Sequence, residues 1–231
     1  MKETLIEFWH FLKSPSFQIY NHDKKSRWKD FLSLLLLNFL FTIPLVSVYY
    51  FLLELNLIKE YEGWDIFKEL GVFGGFMIGC FFAPLIEEYV FRWHLTKRYA
   101  SIYFIMLSIA AMIIFGVENE LLSWLIFLSA LALSIILHVQ LKKRSQTLTY
   151  KLWQKSYPLI FYSSALVFGL IHLTNYQDLT LADPSFIFYM SSQAFGGLIL
   201  GYLRIKHGLR YSILFHACFN LIALSLELIF G

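Results

Sequence analysis

Residues 84–92 read PLIEEYVFR and place two adjacent glutamates and an arginine within some of the most apolar sequence of the chain. The 231 residues are 58% hydrophobic and 19% aromatic, and only 15% are charged. The apolar share is higher, and the charged share lower, than in ordinary soluble domains. The composition therefore predicts an integral membrane protein, and charges placed within its apolar sequence need a reason.

A membrane-spanning helix needs about 20 consecutive and predominantly apolar residues. Seven such runs lie near residues 31–53, 70–96, 100–116, 121–140, 157–173, 184–203 and 211–229. The sequence therefore predicts an all-α fold, a polytopic transmembrane helix bundle of about seven spans within residues 31–231. Residues 1–30 are expected to form a cytoplasmic amphipathic segment that lies at the membrane surface.

Charged residues in the loops predict the orientation of the chain. Segments 142–155 and 204–210 carry lysine and arginine without an acidic residue, whereas segment 54–69 is rich in acidic residues. Loops rich in lysine and arginine tend to stay in the cytoplasm. We therefore expect the N-terminus inside and the C-terminus outside. The formal net charge of +3 reflects this asymmetry of the loops and does not indicate a nucleic-acid partner.

Glu87 and Glu88 are the acidic residues that lie in the middle of a predicted span. An ionisable group in the bilayer costs roughly 2.5 to 3.5 kcal/mol on insertion scales, so such groups usually face a polar interior and mark function. Glu88 and Arg92 are four residues apart on a helix, close enough to form a supporting ion pair. Glu87 projects about 100° away from Glu88 and has no partner on its own helix.

Other polar residues within the predicted spans give Glu87 possible partners. The stretch FGLIH ends at His172, and HACFN begins at His216 and ends at Asn220, one helical turn further on. At about 1.5 Å per residue, Glu87, His172 and His216 lie roughly 16, 22 and 10 Å from the predicted cytoplasmic ends of their spans. All three depths fall within a hydrocarbon core about 30 Å thick. A lone histidine in a span more often serves packing, but these depths allow one buried polar site.

The stretches EEYVFR, FGLIH and HACFN resemble, in the same order, the motifs E-E-x-x-x-R, F-x-x-x-H and H-x-x-x-N of a known family. This family is the CAAX-protease and bacteriocin-processing group (CPBP, Abi) of intramembrane proteases. The resemblance covers about residues 80–98 and 160–222. It implies that residues 31–231 form a transmembrane protease domain.

The chain departs from the family's pattern between the first two motifs. Residues 99–156 are predicted to hold an extra pair of transmembrane helices. Because two spans are added, every later loop stays on the same side of the membrane as it would without them. Within this insertion, the stretch 115–119 echoes F-x-x-x-H but has Glu118 near the place of the histidine. We therefore assign the second motif to Phe168 and His172.

Peptide-bond hydrolysis requires an activated water molecule, a proton carrier and donors for the oxyanion. Glu87 and His172 are suited to position and deprotonate the water. His216 and Asn220 are suited to donate to the oxyanion, and Glu88 with its arginine would support the helix. The resemblance implies the same roles for these residues.

We expect no cofactor, although zinc is possible because glutamate, histidine and asparagine could ligate it. The sequence lacks H-E-x-x-H, and asparagine is an uncommon ligand in catalytic zinc sites. The expected partners are the lipid bilayer and a membrane-associated peptide or protein substrate, with prenylated CAAX-type peptides as candidates. The expected location is a bacterial inner membrane.

Two other classes of protein stay open at this point. A proton-coupled transporter could use the same buried acids and histidines as a relay. Inverted repeats would favour a transporter, and the sequence contains one weak internal echo. A non-catalytic immunity or assembly factor could keep the same fold, but the intact motif residues argue against this class.

Overall fold

A computed structural model describes residues 1–17 and 24–230. The described residues form nine α-helices: α1 (Lys2–Lys13), α2 (Lys24–Glu54), α3 (Ile66–Met77), α4 (Ala83–Arg92), α5 (Ala100–Ile114), α6 (Glu120–Lys142), α7 (Gln146–Ile171), α8 (Phe186–His207) and α9 (Leu209–Phe230). A π-helix, Ile78–Phe82, joins α3 to α4, and the 3₁₀-helices Trp93–Thr96 and His172–Asn175 extend α4 and α7. The described part of the chain contains no strand, so the predicted all-α fold is confirmed.

The number of spans agrees with the prediction. Within the described residues, six helical segments are long and apolar enough to cross a membrane, and α5 is a shorter apolar helix. The largest difference in bounds is at α7, which begins at Gln146 rather than near residue 157. The Ser145 side chain caps this helix by accepting a hydrogen bond from the Leu148 backbone N–H at 3.2 Å. The first turns of α7 are polar and lie outside the predicted apolar run, but the cap helps to hold them as helix.

The outer surface of the bundle is apolar. Helix α6 buries a single side chain, Ser134, whereas Leu121, Trp124 and Leu128 are exposed. In water such a surface would drive association, but in a bilayer it contacts lipid. Helices α5 and α6 pack mainly against each other at the edge of the bundle, within the predicted insertion of residues 99–156.

Helices α7 and α8 pack closely at the centre of the bundle because small residues lie between them. A Cβ atom at Gly197 would lie 3.1 Å from Ala165 Cα, and one at Gly201 would lie 2.7 Å from a ring carbon of Phe161. The G-x-x-x-G spacing of these glycines thus forms a helix-packing surface.

The span that carries the two glutamates is not a continuous α-helix. Gly71 interrupts it with a φ of 67°, and the π-helix Ile78–Phe82 lies directly before Pro84. Proline lacks an N–H, and its ring crowds the carbonyl group four residues earlier, so a widened turn on its N-terminal side relieves the clash. The irregular turn lies about one helical turn before Glu87.

Helix α1 packs against the protein with part of its apolar side. Phe8 lies edge-on against Tyr202, with the ring centroids 5.2 Å apart. The Thr4 hydroxyl donates to the buried carboxylate of Asp30 at 2.8 Å. Contacts with α2 and α8 therefore hold the predicted amphipathic segment, of which residues 18–23 lie outside the described part.

The loop after α2 forms hydrogen bonds with the 3₁₀-helix His172–Asn175 and the loop that follows it. The Trp64 N–H donates to the Asn175 carbonyl at 2.9 Å, and the Tyr61 hydroxyl donates to Asp183 at 2.7 Å. The second hydrogen bond raises the pKa of Tyr61 to about 12 and lowers the pKa of Asp183. This pairing fixes the 3₁₀-turn that begins at His172.

Candidate active site

Glu87 lies between two histidines that come from other helices. Its Oε2 atom is 3.8 Å from Nε2 of His172, at the end of α7, and 3.8 Å from Nε2 of His216 on α9. The Glu87 side chain is 29% exposed, against 17% for His172 and 7% for His216, so Glu87 is the member most open to a substrate. The structure thus brings together three residues whose predicted depths allow one buried polar site.

Each histidine ring is oriented by a contact of its Nδ1 atom. Nδ1 of His172 lies 2.6 Å from the backbone carbonyl of Phe168, and a carbonyl can only accept, so this nitrogen carries the proton. Nδ1 of His216 lies 3.1 Å from Oε1 of Glu88. Both rings therefore turn Nε2 toward Glu87. In a neutral His172 ring with its proton on Nδ1, Nε2 is an acceptor. Together with Oε2 of Glu87 it can therefore bind a proton or a water molecule.

The spacing of the second motif has a structural reason. Phe168 and His172 are four residues apart, so the Phe168 carbonyl lies below the imidazole and accepts its hydrogen bond. The Phe168 ring lies under the Arg92 guanidinium, 4.3 Å from its central carbon, in a cation–π contact. Glu118 lies in the turn between α5 and α6, which supports assigning the motif to Phe168 and His172.

The predicted Glu88–Arg92 pair is present and fully buried. Oε2 of Glu88 lies 3.7 Å from Nε of Arg92, and the Ser212 hydroxyl donates to the same carboxylate oxygen. The other oxygen, Oε1, contacts His216. Glu88 therefore connects α4 to α9 and orients the His216 ring.

Asn220 lies one helical turn beyond His216 and contacts the π-helix. Its side-chain amide donates to the Gly79 carbonyl at 2.8 Å. A Cβ atom at Gly79 would lie 2.5 Å from a methyl group of Leu224, so the glycine allows α9 to approach closely. This contact uses one of the two amide N–H bonds, and within the described residues the second has no partner, so it can bind another acceptor. The role of Asn220 as an oxyanion donor stays a prediction.

Two cavities with polar groups in their lining adjoin these residues. One of 240 Å³ is lined by His172 and by polar and aromatic groups that include Tyr49, Asn175, Tyr189, Ser192 and Gln193. The other, of 20 Å³, is lined by His216 and Asn220 and again by Ser192 and Gln193. The smaller cavity has room for about one water molecule. Because they share two lining residues, the cavities are neighbours on the two sides of Ser192 and Gln193.

An apolar groove of 720 Å³ runs between α4, α5, α6 and α7. Aromatic and aliphatic side chains line most of it, among them Trp93 and Phe104, and Lys97 and Arg98 also belong to the lining. Ile171, which directly precedes His172, also belongs to the lining. The α5–α6 pair therefore forms one wall of a groove that passes beside the site.

The capacity of the site for a metal depends on the geometry of its donors. Within residues 1–17 and 24–230, no group of three or more His, Cys, Asp or Glu side chains has an arrangement that could hold a metal ion. Cys80 and Cys218 are free thiols and do not contact the glutamate–histidine group through hydrogen bonds in the described part.

Sequence reasoning missed polar residues that the fold brings to this region. Ser212 binds Glu88, and Asn38 of α2 lines the smaller cavity with His216. Asn38 is the single polar residue in LLLLNFLF, residues 34–41, which is a signal of function in a membrane span. Ser212 lies near the end of a span and gives no comparable signal.

The fold and the buried glutamate–histidine centre define a polytopic α-helical membrane protein with a polar site inside its helix bundle. Residues 144–222, about a third of the chain, match the family model described as Type II CAAX prenyl endopeptidase Rce1-like. The match includes FGLIH and HACFN, and EEYVFR lies outside it. This part of the chain is therefore similar to the CAAX-protease group, which confirms the resemblance that the motifs indicated. No curated protein and no solved structure matches the chain.

Proposed function

We propose that the protein is an intramembrane endopeptidase in which Glu87 and His172 activate the water that hydrolyses the peptide bond. The observation that carries this proposal is the convergence of Glu87 Oε2 with Nε2 of His172 and of His216, each at 3.8 Å. These separations are too long for direct hydrogen bonds. A water molecule placed on one side of the three atoms can contact all of them.

In the proposed reaction, the water oxygen attacks the carbonyl carbon of the substrate while one of its protons moves to Glu87. His172 accepts a hydrogen bond from the other O–H through Nε2, because its Nδ1–H is held by the Phe168 carbonyl. The C–N bond then breaks as Glu87 delivers the proton to the departing amine. No covalent enzyme intermediate is needed, and Glu87 ends in its starting state.

The proposed oxyanion donors lie on α9. His216 can donate through Nε2 while Nδ1 contacts Glu88 only if the ring carries both protons, and the Glu88 carboxylate supplies the opposite charge for that state. The second amide N–H of Asn220 is the other proposed donor. Such preorganised donors stabilise the charge that develops in the transition state.

We propose a membrane-associated peptide as the substrate, with a prenylated CAAX-type peptide as the leading candidate. The 240 Å³ cavity beside His172 offers hydroxyl and amide groups that can bind a peptide backbone. The 720 Å³ groove offers an apolar surface for a lipid or isoprenoid chain. The proposed location, a bacterial inner membrane, rests on the resemblance to the family.

Purified protein should cleave a prenylated peptide, and the unmodified peptide more slowly, because only the first can use the groove. Mass spectrometry of the products should give fragments whose masses sum to that of the peptide plus one water. Ser108 lines the groove from α5, a helix that carries no motif residue. Ser108→Phe, which narrows the groove, should remove the advantage of the prenylated peptide and leave cleavage of the unmodified one unchanged.

The two parts of this prediction can fail separately. Equal rates on both peptides would refute the use of the groove by the prenyl chain. Intact peptides after incubation with folded protein would refute the endopeptidase itself for this substrate class.

A further inference from the structure

Asn38 is a buried amide that the proposed reaction has not used. It lies in the middle of α2 and is 3% exposed, and within the described residues its Oδ1 atom has no hydrogen-bond partner. A buried polar atom without a partner costs free energy, and the cost is greater in a membrane span. An apolar residue at this position would avoid that cost, so the amide calls for a ligand.

Asn38 faces the 20 Å³ cavity that His216 and Asn220 also line. Gly196 keeps the space in front of the amide open, since a Cβ atom there would lie 3.7 Å from Nδ2 and 3.9 Å from Oδ1 of Asn38. The cavity is polar on several sides and has room for about one water molecule, which are the two conditions for a buried water site.

We propose that Asn38 binds a water molecule in this cavity and holds it beside His216 for the hydrolytic centre. The water donates one hydrogen to Oδ1 of Asn38, which gives the buried oxygen its partner, and contacts His216 or Asn220 with its remaining groups. Asn38 is therefore a positioning residue contributed by α2, a helix outside the three motifs. The role of this water in hydrolysis rests on the proposed function, whereas its binding in the cavity does not.

Asn38→Leu separates a functional role from a structural one. The change removes an amide without a protein partner, so the melting temperature should stay the same or rise. The kcat should fall by a factor on the order of 10 to 100, with KM within about twofold, because the loss affects a step after substrate binding. A residue that serves only packing would give the opposite result, a lower melting temperature with normal kcat.

Thr42→Val is the matched control on the same helix. The Thr42 hydroxyl also lacks a hydrogen-bond partner within the described residues, and Thr42 does not line either polar cavity. This variant should keep both its melting temperature and its kcat. If it loses kcat as Asn38→Leu does, the effect belongs to α2 as a whole and the proposal fails.

Gly196→Ala tests the cavity without changing Asn38. The added methyl group makes only ordinary contacts, and alanine favours the helix, so the protein should fold at least as well. The methyl group occupies the space of the water, so kcat should fall as in Asn38→Leu. Unchanged kcat in both variants would overturn the role of the water.

A high-resolution experimental structure tests the site without any activity measurement. We expect an ordered water about 3 Å from Oδ1 of Asn38 and within hydrogen-bond reach of His216 or Asn220, and its absence in Gly196→Ala. A dry cavity in the wild-type protein would overturn the proposal. This measurement decides the water site even if the protein cleaves no peptide, so the failure of one proposal is distinguishable from the failure of the other.

Discussion

Glu87→Gln should lower the rate of peptide cleavage by a factor on the order of 10² or more while the protein still folds and inserts. Glutamine keeps the volume and hydrogen-bonding capacity of the side chain but cannot take a proton from water. The Oε2 atom of Glu87 has no hydrogen-bond partner within the described residues, so little stability should be lost with it. His172→Ala should lower the rate in the same way. Single-turnover cleavage and a thermal melt of the same preparation measure both quantities.

Glu227→Gln is a matched control for this change. Glu227 lies near the end of α9, and within the described residues it forms no ion pair or hydrogen bond with a motif residue. The same loss of a carboxylate should therefore leave the cleavage rate unchanged. Near-normal turnover in Glu87→Gln would contradict the assignment of Glu87 as the general base. An equal loss in both variants would point to a general effect of charge in the membrane.

Glu88→Gln should have its main effect on stability. The change leaves the fully buried Arg92 guanidinium without the carboxylate that lies 3.7 Å away. Removing one partner of a buried ion pair typically costs about 3 to 5 kcal/mol. Activity should also fall, but less than in Glu87→Gln, because Glu88 orients His216 and does not touch the attacking water. Thermal melts and kcat measured on both variants make the comparison.

The double variant Glu88→Gln with Arg92→Leu shows whether the isolated charge is the cause. Removal of both partners also removes the isolated guanidinium charge, so the double variant should be more stable than Glu88→Gln alone. It should not regain activity, since His216 still lacks its carboxylate. Equal catalytic loss in Glu88→Gln and Glu87→Gln, with unchanged stability, would give Glu88 a direct part in proton transfer.

The spans were predictable because a bilayer demands long apolar helices, and those runs are visible in the sequence. The beginning of α7 was not, because its first turns, from Gln146 onward, are polar and are held as helix by the Ser145 cap. Likewise a proline at position 84 is visible in the sequence and disfavours a regular helix before it. The π-helix Ile78–Phe82 that accommodates this proline depends on local backbone geometry.

A common site could be proposed for Glu87, His172 and His216 because the rise per residue of a helix gives the depth of each side chain in the membrane. Depth does not give the rotation of a helix about its axis. The contacts of Glu88 with Ser212 and His216 join residues 124 and 128 positions apart, and they depend on that rotation. For the same reason the sequence showed Asn38 as an unusual residue without showing which cavity it faces.

The central claim is that protein side chains activate the water without a metal, and elemental analysis of an active preparation tests it most directly. Metal content and turnover should be measured on the same purified sample, before and after treatment with a strong chelator. If Glu87 and His172 suffice, zinc should be well below one atom per protein and turnover should survive chelation, because no Lewis acid is needed to lower the pKa of the water. Stoichiometric metal that is lost together with turnover, and that restores turnover when added back, would contradict the claim.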